Sequence, residues 1–381
     1  MMRPAFTSTR SAAAFALLLL LVLLSPVLAE KKFLPPRDQA YATLGWGMGP
    51  YPWIRHEIFE ETNDIDIAFI GSSHLLNGID TPYVQAALSR QLGRPAVVRT
   101  IGWGGAGYNI LYLIAQDLLA HRPVRMLVFY DENVKSNPKG GVSGSAIASL
   151  FRWGDNAACL QDLPLTTQGI YYFASLVGMP KNMLGAIRPN IPDGLFPDAP
   201  DYFEPRDKMF IGAPGRLGAV SAQLGFNSSR LFADYTAFIP YRPPATQAVG
   251  VSIYSTAHPA PDFEFTHAPL PPLEDAFARQ FAQVAEQHGC QLVMLHLPTL
   301  LPALDDPQSP ILRERADWPA VFSTNLVLAG IPESKLFAGL TDAEIKKLYL
   351  DIFHFNRNGQ EYFTPLITPA LIDIYDASVI H

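Results

Sequence analysis

Four short stretches of the chain hold residues able to carry out covalent chemistry together. Gly71-Ser72-Ser73-His74 follows the apolar run from Ile65, and Gly102-Trp103-Gly104-Gly105-Ala106-Gly107 follows the run Ala96 to Ile101. Asp131-Glu132-Asn133 follows Val124 to Tyr130, and Asp351-Ile352-Phe353-His354 opens a stretch that continues to Gly359. A serine hydroxyl is a poor nucleophile until a base takes its proton, and the base needs a third group to fix its tautomer. His354 is the candidate base and Asp351 its orienter, because residues three apart on a turn can share one face. Attack on an ester builds charge on the carbonyl oxygen, and each fixed donor there is worth about 2.7–4 kcal/mol. The Ser73 N–H, the Gly104 or Gly105 N–H and the Asn133 amide can supply three such donors. The glycines then have a reason, since without Cβ their N–H groups approach the reacting oxygen closely.

The same glycines carry a competing reading. Gly102, Gly104 and Gly107 spell G-x-G-x-x-G, and Asp131 and Glu132 stand about where a ribose-binding carboxylate belongs. That fingerprint needs the first strand of its fold, whereas here a strand, turn and helix precede it and the earlier turn carries the serine. No cofactor is expected on this ground, and no Cys/His spacing resembles a zinc site. Gly102 and Gly107 read as ordinary turn residues. His74 reads as a packing neighbour of the nucleophile, and Asp131 and Glu132 as polar strand ends. His267, His288 and His296 show no ligand spacing.

The elements that must position these residues alternate between strand and helix. "IDIAFIG" is a short apolar run stopped by glycine, as in a buried parallel strand. Asp80, Thr81 and Pro82 make a helix start, with Val84, Ala87 and Leu88 on one face. "AVVRTI" is a second strand, "YNILYLIAQDLLA" a second helix and "VRMLVFY" a third strand. The pattern breaks at about residue 135, where a stretch rich in Pro, Gly and aromatic residues runs to about 271. It resumes with a helix over Leu273 to Gly289 and the strand "CQLVMLHLP". Thr341 and Glu344 fit a capping box, and a closing helix is expected from about Gly359 to Ile374. This order predicts an α/β domain over 64–381 with a parallel sheet covered on both faces, interrupted by an insertion. Ligands of such sheets bind beyond the carboxyl ends of the strands, which is where all four stretches fall. Within the insertion, Trp153, Tyr171, Tyr172 and Phe203 could stack on sugar rings or form the insertion's own small core.

With 381 residues, 49% hydrophobic and 17% charged, the chain can bury a substantial core. A formal charge of -7 with scattered Lys and Arg leaves no basic stripe for nucleic acid. Arg3 and Arg10 precede the run Ala12 to Leu24 and the ending Val27-Leu28-Ala29. Residues 1–29 therefore read as a secretion signal, or as an uncleaved membrane anchor, and residues 30–63 as a linker and N-terminal extension. Either reading places the domain outside the cytoplasm, where nicotinamide cofactors are not supplied. Such a compartment would permit a bridge between Cys159 and Cys290, although Cys290 is most simply a core residue. Asn227-Ser228-Ser229 is a nominal glycosylation sequon.

Taken in chain order, the four stretches resemble the blocks of the SGNH (GDSL-type) hydrolase superfamily. "IAFIGSSH" matches the nucleophile block, "GWGGAG" the glycine block, "FYDEN" the asparagine block and "DIFHFNRNG" the Asp-x-x-His block, including its H-x-N-x-x-G continuation. The last block and the order of the four are the specific part. The resemblance covers about Asp64 to Asn133 and Leu273 to the C-terminus. Ser72 stands in place of the aspartate of G-D-S, and D-E-N in place of G-x-N-D. The third residue of the nucleophile motif carries the hydroxyl, which selects Ser73 over Ser72. Gly104 best fits the glycine position by its distance to Asn133, with Gly105 next.

The resemblance implies a flavodoxin-like three-layer α/β/α fold, a Ser73, His354 and Asp351 triad, and an oxyanion hole of Ser73, Gly104 or Gly105, and Asn133. Extracytoplasmic members include carbohydrate esterases and O-acyltransferases. The expected function is an exported serine esterase that removes O-acyl groups, acetyl foremost, from a glycan or envelope substrate. An O-acetyltransferase using the same triad on an envelope polysaccharide is the alternative, and a non-catalytic envelope binding protein is a third reading.

Overall fold

The computed structural model describes residues 8–32, 36–44, 51–101, 107–130, 146–147, 149–175, 251–255, 260–263, 269–300, 318–322, 326–349 and 354–379. The chain opens with α1 (Thr9–Lys32), α2 (Arg37–Ala42) and α3 (Tyr51–Arg55), the last running into a π-helical turn, His56–Glu60. β1 (Ile65–Ile70), α4 (Ser73–Gly78), α5 (Thr81–Leu92), β2 (Val98–Ile101), α6 (Tyr108–His121) and β3 (Val124–Tyr130) follow. A short helix α7 (Trp153–Asn156) and strand β4 (Ser252–Ser255) come next. The rest is α8 (Pro272–Gln287), β5 (Gln291–Leu295), α9 (Trp318–Val321), β6 (Leu326–Gly330), α10 (Glu333–Leu336), α11 (Asp342–Lys346) and α12 (Arg357–Val379).

The six strands form one sheet in the order β2-β1-β3-β5-β6-β4. β1 pairs with β2 and β3, β3 with β5 and β5 with β6, all parallel, while β4 pairs antiparallel with β6. Without β4, the five parallel strands follow the 2-1-3-4-5 order of flavodoxin-like sheets. Every residue of β1 and β2 is buried, as strands covered on both faces require. α6 and α8 pack together on one side of the sheet, and α5 and α12 on the other.

Local signals account for the helix starts. Asp80 caps α5 by accepting the Tyr83 N–H at 3.2 Å, and Gly93 ends that helix in the left-handed region at φ 62°. The Thr341–Glu344 capping box opens α11. The helix expected over Leu273 to Gly289 spans Pro272–Gln287, with Gly289 at φ 63° beyond its end. The closing helix is longer than its polar and apolar pattern predicts. It runs from Arg357 to Val379 in spite of Pro365 and Pro369, because residues buried along it, including Phe363, Ile367, Leu371 and Tyr375, hold it to the core.

One expectation needs correction. β4 lies inside the stretch 135–271 expected to be insertion, yet it completes the domain's own sheet, and it is not parallel. The N-terminal extension beyond the linker belongs to the fold. Ala40, Tyr41, Leu44, Tyr51, Trp53, Ile54 and Ile58 of the extension are buried in the main core. A buried charge cluster pins it there. The Glu57 carboxylate accepts from Arg99 Nε at 3.2 Å and Arg122 Nη1 at 2.8 Å, and Arg122 also donates to the carbonyls of Glu57 and Asn63. On the α6 side, Arg37 donates to the Asp117 carboxylate and to the Leu150 carbonyl, joining extension, helix and insertion.

α1 differs in character. Leu17 through Leu24 are consecutive and all 42–60% exposed, so no side of that stretch is covered. Its described apolar run, Ala12 to Leu24, is 13 residues, and no helix is long and apolar enough over its described side chains to cross a membrane. Its far end is tied down: Glu30 accepts the backbone N–H groups of Trp153 and Gly154, the latter at 2.6 Å.

Candidate active site

The crevice of a 2-1-3-4-5 sheet opens where the strand order reverses, between β1 and β3. β1 delivers Gly71, Ser72 and Ser73 to that point, and β3 ends there at Tyr130. Ser73 is the first residue of α4, so its backbone N–H is one of the helix's unpaired N-terminal donors. Its side chain, together with Gly104, Gly105, Asn133 and Asp351, lies outside the described residues.

The two adjacent serines are not equivalent. Ser72 is the N-cap of α4: its Oγ accepts the His74 N–H at 3.3 Å and the Tyr130 hydroxyl at 2.6 Å. With 6% exposure and two donors on one oxygen, Ser72 is committed to holding β1, α4 and β3 together. Tyr130 is a residue that reading the sequence missed, because its partner is 58 positions away. Gly71 is required by the same packing. A Cβ there would sit 2.8–2.9 Å from Leu75 and from the Tyr130 ring.

His74 is 2% exposed and packs edge-on against two rings, Tyr130 at 5.8 Å and His354 at 6.0 Å between centroids. The residue next to Ser73 therefore touches the imidazole that the last block supplies. His354 is half-buried. The expected packing role of His74 thus has a specific content, namely the contact that joins the first and last blocks.

The continuation of that block has a structural cause. Asn356 is the N-cap of α12: its Oδ1 accepts the N–H groups of Asn358 at 2.8 Å and Gly359 at 3.2 Å. Its amide nitrogen donates back to the carbonyls of Lys347 at 2.8 Å and Tyr349 at 3.2 Å. A side chain at Gly359 would overlap the Leu348 carbonyl and the Phe355 ring. Asn356 and Gly359 thus fasten the turn that carries His354, and Phe355 seals it by bridging to Tyr349. Tyr349 in turn donates to the Pro298 carbonyl, beyond the carboxyl end of β5, at 3.0 Å.

The remaining candidate groups lie elsewhere or are already paired. A cleft of about 1200 Å³ lies at the amino ends of the strands, lined by Asp64, Val124, Cys290 and Val327 among others. Its Asp66 is already paired with Arg94, and burial pushes the Cys290 thiol up to about 12. A thiol so placed is no nucleophile at neutral pH. Cys159 and Cys290 are both free and buried. His296, at the end of β5, is paired with Glu333 at 3.1 Å and both are buried. Of the aromatic residues in the insertion, Tyr171 is fully buried, accepts from Asn109 at 2.8 Å and packs on Phe151 and Phe277. Trp153 packs edge-on to Tyr172 at 4.9 Å. Tyr171 thus packs the insertion against α6 and α8, Trp153 and Tyr172 pack on each other, and Phe203 lies outside the described residues.

No protein-family model matches the chain, and no curated protein matches it either.

Proposed function

We propose that the protein is an exported serine esterase of the SGNH type that removes O-acyl groups, acetyl foremost, from a glycan or cell-envelope substrate. The observation that carries this reading is the meeting of the first and last blocks at the switch point. Ser73 opens α4 there, and His74 beside it contacts the His354 ring. The engagement of Ser72 with His74 and Tyr130 supports Ser73, rather than Ser72, as the attacking serine.

In this mechanism Ser73 Oγ attacks the acyl carbonyl carbon while its proton passes to His354, whose tautomer Asp351 holds. The charge that develops on the carbonyl oxygen is met by the Ser73 N–H, the Gly104 or Gly105 N–H and the Asn133 amide. The tetrahedral species expels the alcohol, which takes the proton from His354. Water then attacks the acyl-serine with His354 again as base, releasing the acid and restoring Ser73. A sugar hydroxyl held in attack geometry could replace water in the second half, so hydrolase and transferase share the first half.

The test uses the purified protein with an aryl acetate. Ser73→Ala abolishes turnover and Ser72→Ala retains a measurable fraction; the reverse pattern defeats the assignment. Free acid and acylated sugar are then followed together with candidate envelope glycans present. Acylated glycan forming faster than acid would replace hydrolysis by transfer.

A further inference from the structure

The elbow between α4 and α5 holds two polar side chains with no apparent purpose. Asn77 is 1% exposed and Thr81 2%, and among the described residues the amide oxygen and nitrogen of the one and the hydroxyl of the other have no hydrogen-bond partner. Buried polar atoms almost always have a partner, and an exception calls for a physical cause. Two residues four apart in the chain supply three such atoms.

Their surroundings are polar as well. The elbow lies against the first half of α12. Gln360 donates to the Leu76 carbonyl at 3.4 Å, and the Asp80 N–H donates to Thr364 Oγ1 at 2.9 Å. Gln360, Thr364 and Thr368 are each at most 2% exposed. A buried polar seam therefore runs between the elbow and α12. One side of it begins at Ser73, and the other begins three residues after His354. On α4, Asn77 stands one turn beyond Ser73 and on the same face, and helical side chains lean toward the N-terminus, here toward Ser73.

We propose that the seam holds an internal water bound by the Asn77 amide and the Thr81 hydroxyl, and that Asn77 is through it a positioning residue for the Ser73–His354 pair. A buried water typically makes about three hydrogen bonds to groups otherwise unsatisfied, and three atoms are offered. The water fixes how α4 sits against α12, and so how the hydroxyl carried by one element meets the imidazole that precedes the other. The kinetic half of the proposal rests on the esterase reading; the hydration half does not.

Asn77→Leu and Thr81→Val, both close to isosteric, separate the outcomes. In a dry seam each change removes an orphaned polar group, and thermal unfolding shifts upward or stays put. In a hydrated seam each change strands the water, and the unfolding temperature falls by about 2 °C or more. Asn77→Leu is further expected to lower kcat on an aryl acetate roughly tenfold at unchanged KM, since misplacement of the reacting groups acts on the transition state. A rise or no change in unfolding temperature overturns the water, as does a high-resolution crystal structure with no density within hydrogen-bonding distance of both side chains. A fall in unfolding temperature with kcat unchanged overturns the positioning role. If the wild-type protein turns over no ester, the esterase reading fails while the unfolding temperatures still decide the water. Should Asn77→Leu not fold, Thr81→Val, which exchanges one hydroxyl for a methyl, decides the hydration alone.

Discussion

Replacing Ser72 by alanine should cost stability rather than chemistry, and the structure sets the size of the loss. The Ser72 oxygen accepts a capping N–H from His74 at 3.3 Å, a long bond that belongs at the low end of the cap range. It also accepts the Tyr130 hydroxyl at 2.6 Å in a buried setting, a bond worth about 0.5–1.5 kcal/mol net. Together the loss is about 1–2.5 kcal/mol. That corresponds to a drop in unfolding temperature of roughly 2–8 °C. The assay is a double-mutant cycle of Ser72→Ala and Tyr130→Phe in urea, followed by circular dichroism. The expected coupling is about 0.5–1.5 kcal/mol, because each single change already removes the shared bond. Strict additivity would show that the serine and the tyrosine do not act together, and the argument assigning attack to Ser73 would lose its structural half. Ester turnover measured on the same variants should fall by far less than in Ser73→Ala.

Three further outcomes follow from the same architecture. Asn133→Ala should lower kcat by roughly 10²–10³ with KM little changed, whereas a pure KM effect would make Asn133 a substrate-positioning group. Glu57→Gln should destabilise the fold by about 3–5 kcal/mol in urea titration, since it leaves the buried Arg99 and Arg122 facing a neutral amide; a loss under about 1 kcal/mol would refute that role for the cluster. Burial pushes the Asp66 carboxyl up, but hydrogen bonds from Arg94, Tyr375 and the Val97 N–H outweigh it and hold the group below its ordinary value. A lowered carboxyl stabilises the fold above the unfolded-state value of about 3.9, and that stability is lost as pH falls through the folded value. The stability gap between wild type and Asp66→Asn should therefore shrink on acidification below about pH 4, and a gap that holds constant there would contradict the linkage.

What could be read from the sequence was what is encoded locally. The strand that ends in Gly71-Ser72-Ser73, the cap at Asp80, the box at Thr341 and Glu344, and the alternation that yields a parallel sheet are all written within a few residues. The H-x-N-x-x-G run was visible as a pattern, but its cause lies in the contacts of Asn356 and Gly359 with residues 347–349. Features that depend on distant partners left no local trace. Tyr130 meets Ser72 across 58 positions, and Glu57 meets Arg99 and Arg122 across 42 and 65. A buried glutamate in an apparent linker reads as a solvated charge until its guanidinium partners are known. β4 escaped because "SIYS" is four residues long, follows a Pro-rich stretch and sits at a sheet edge with Ile253 partly exposed, so no alternation could develop.

β4 also bears on how a minimal version of the protein could be made. Joining the end of β3 directly to α8, as the sequence pattern invites, would delete Ser252–Ser255 and leave β6 without the partner it has from Val327 to Gly330. An uncovered edge strand of Leu-Val-Leu-Ala-Gly, apolar and uncharged, is a template for pairing with a second chain. Excision at that junction would thus trade a long segment for a sticky border, and the shortened protein would be recovered from inclusion bodies. A splice that resumes at Val251 keeps the border closed, and it also retains Asp262, the acceptor for Ser252 and Lys335 that holds the return of β4 in place.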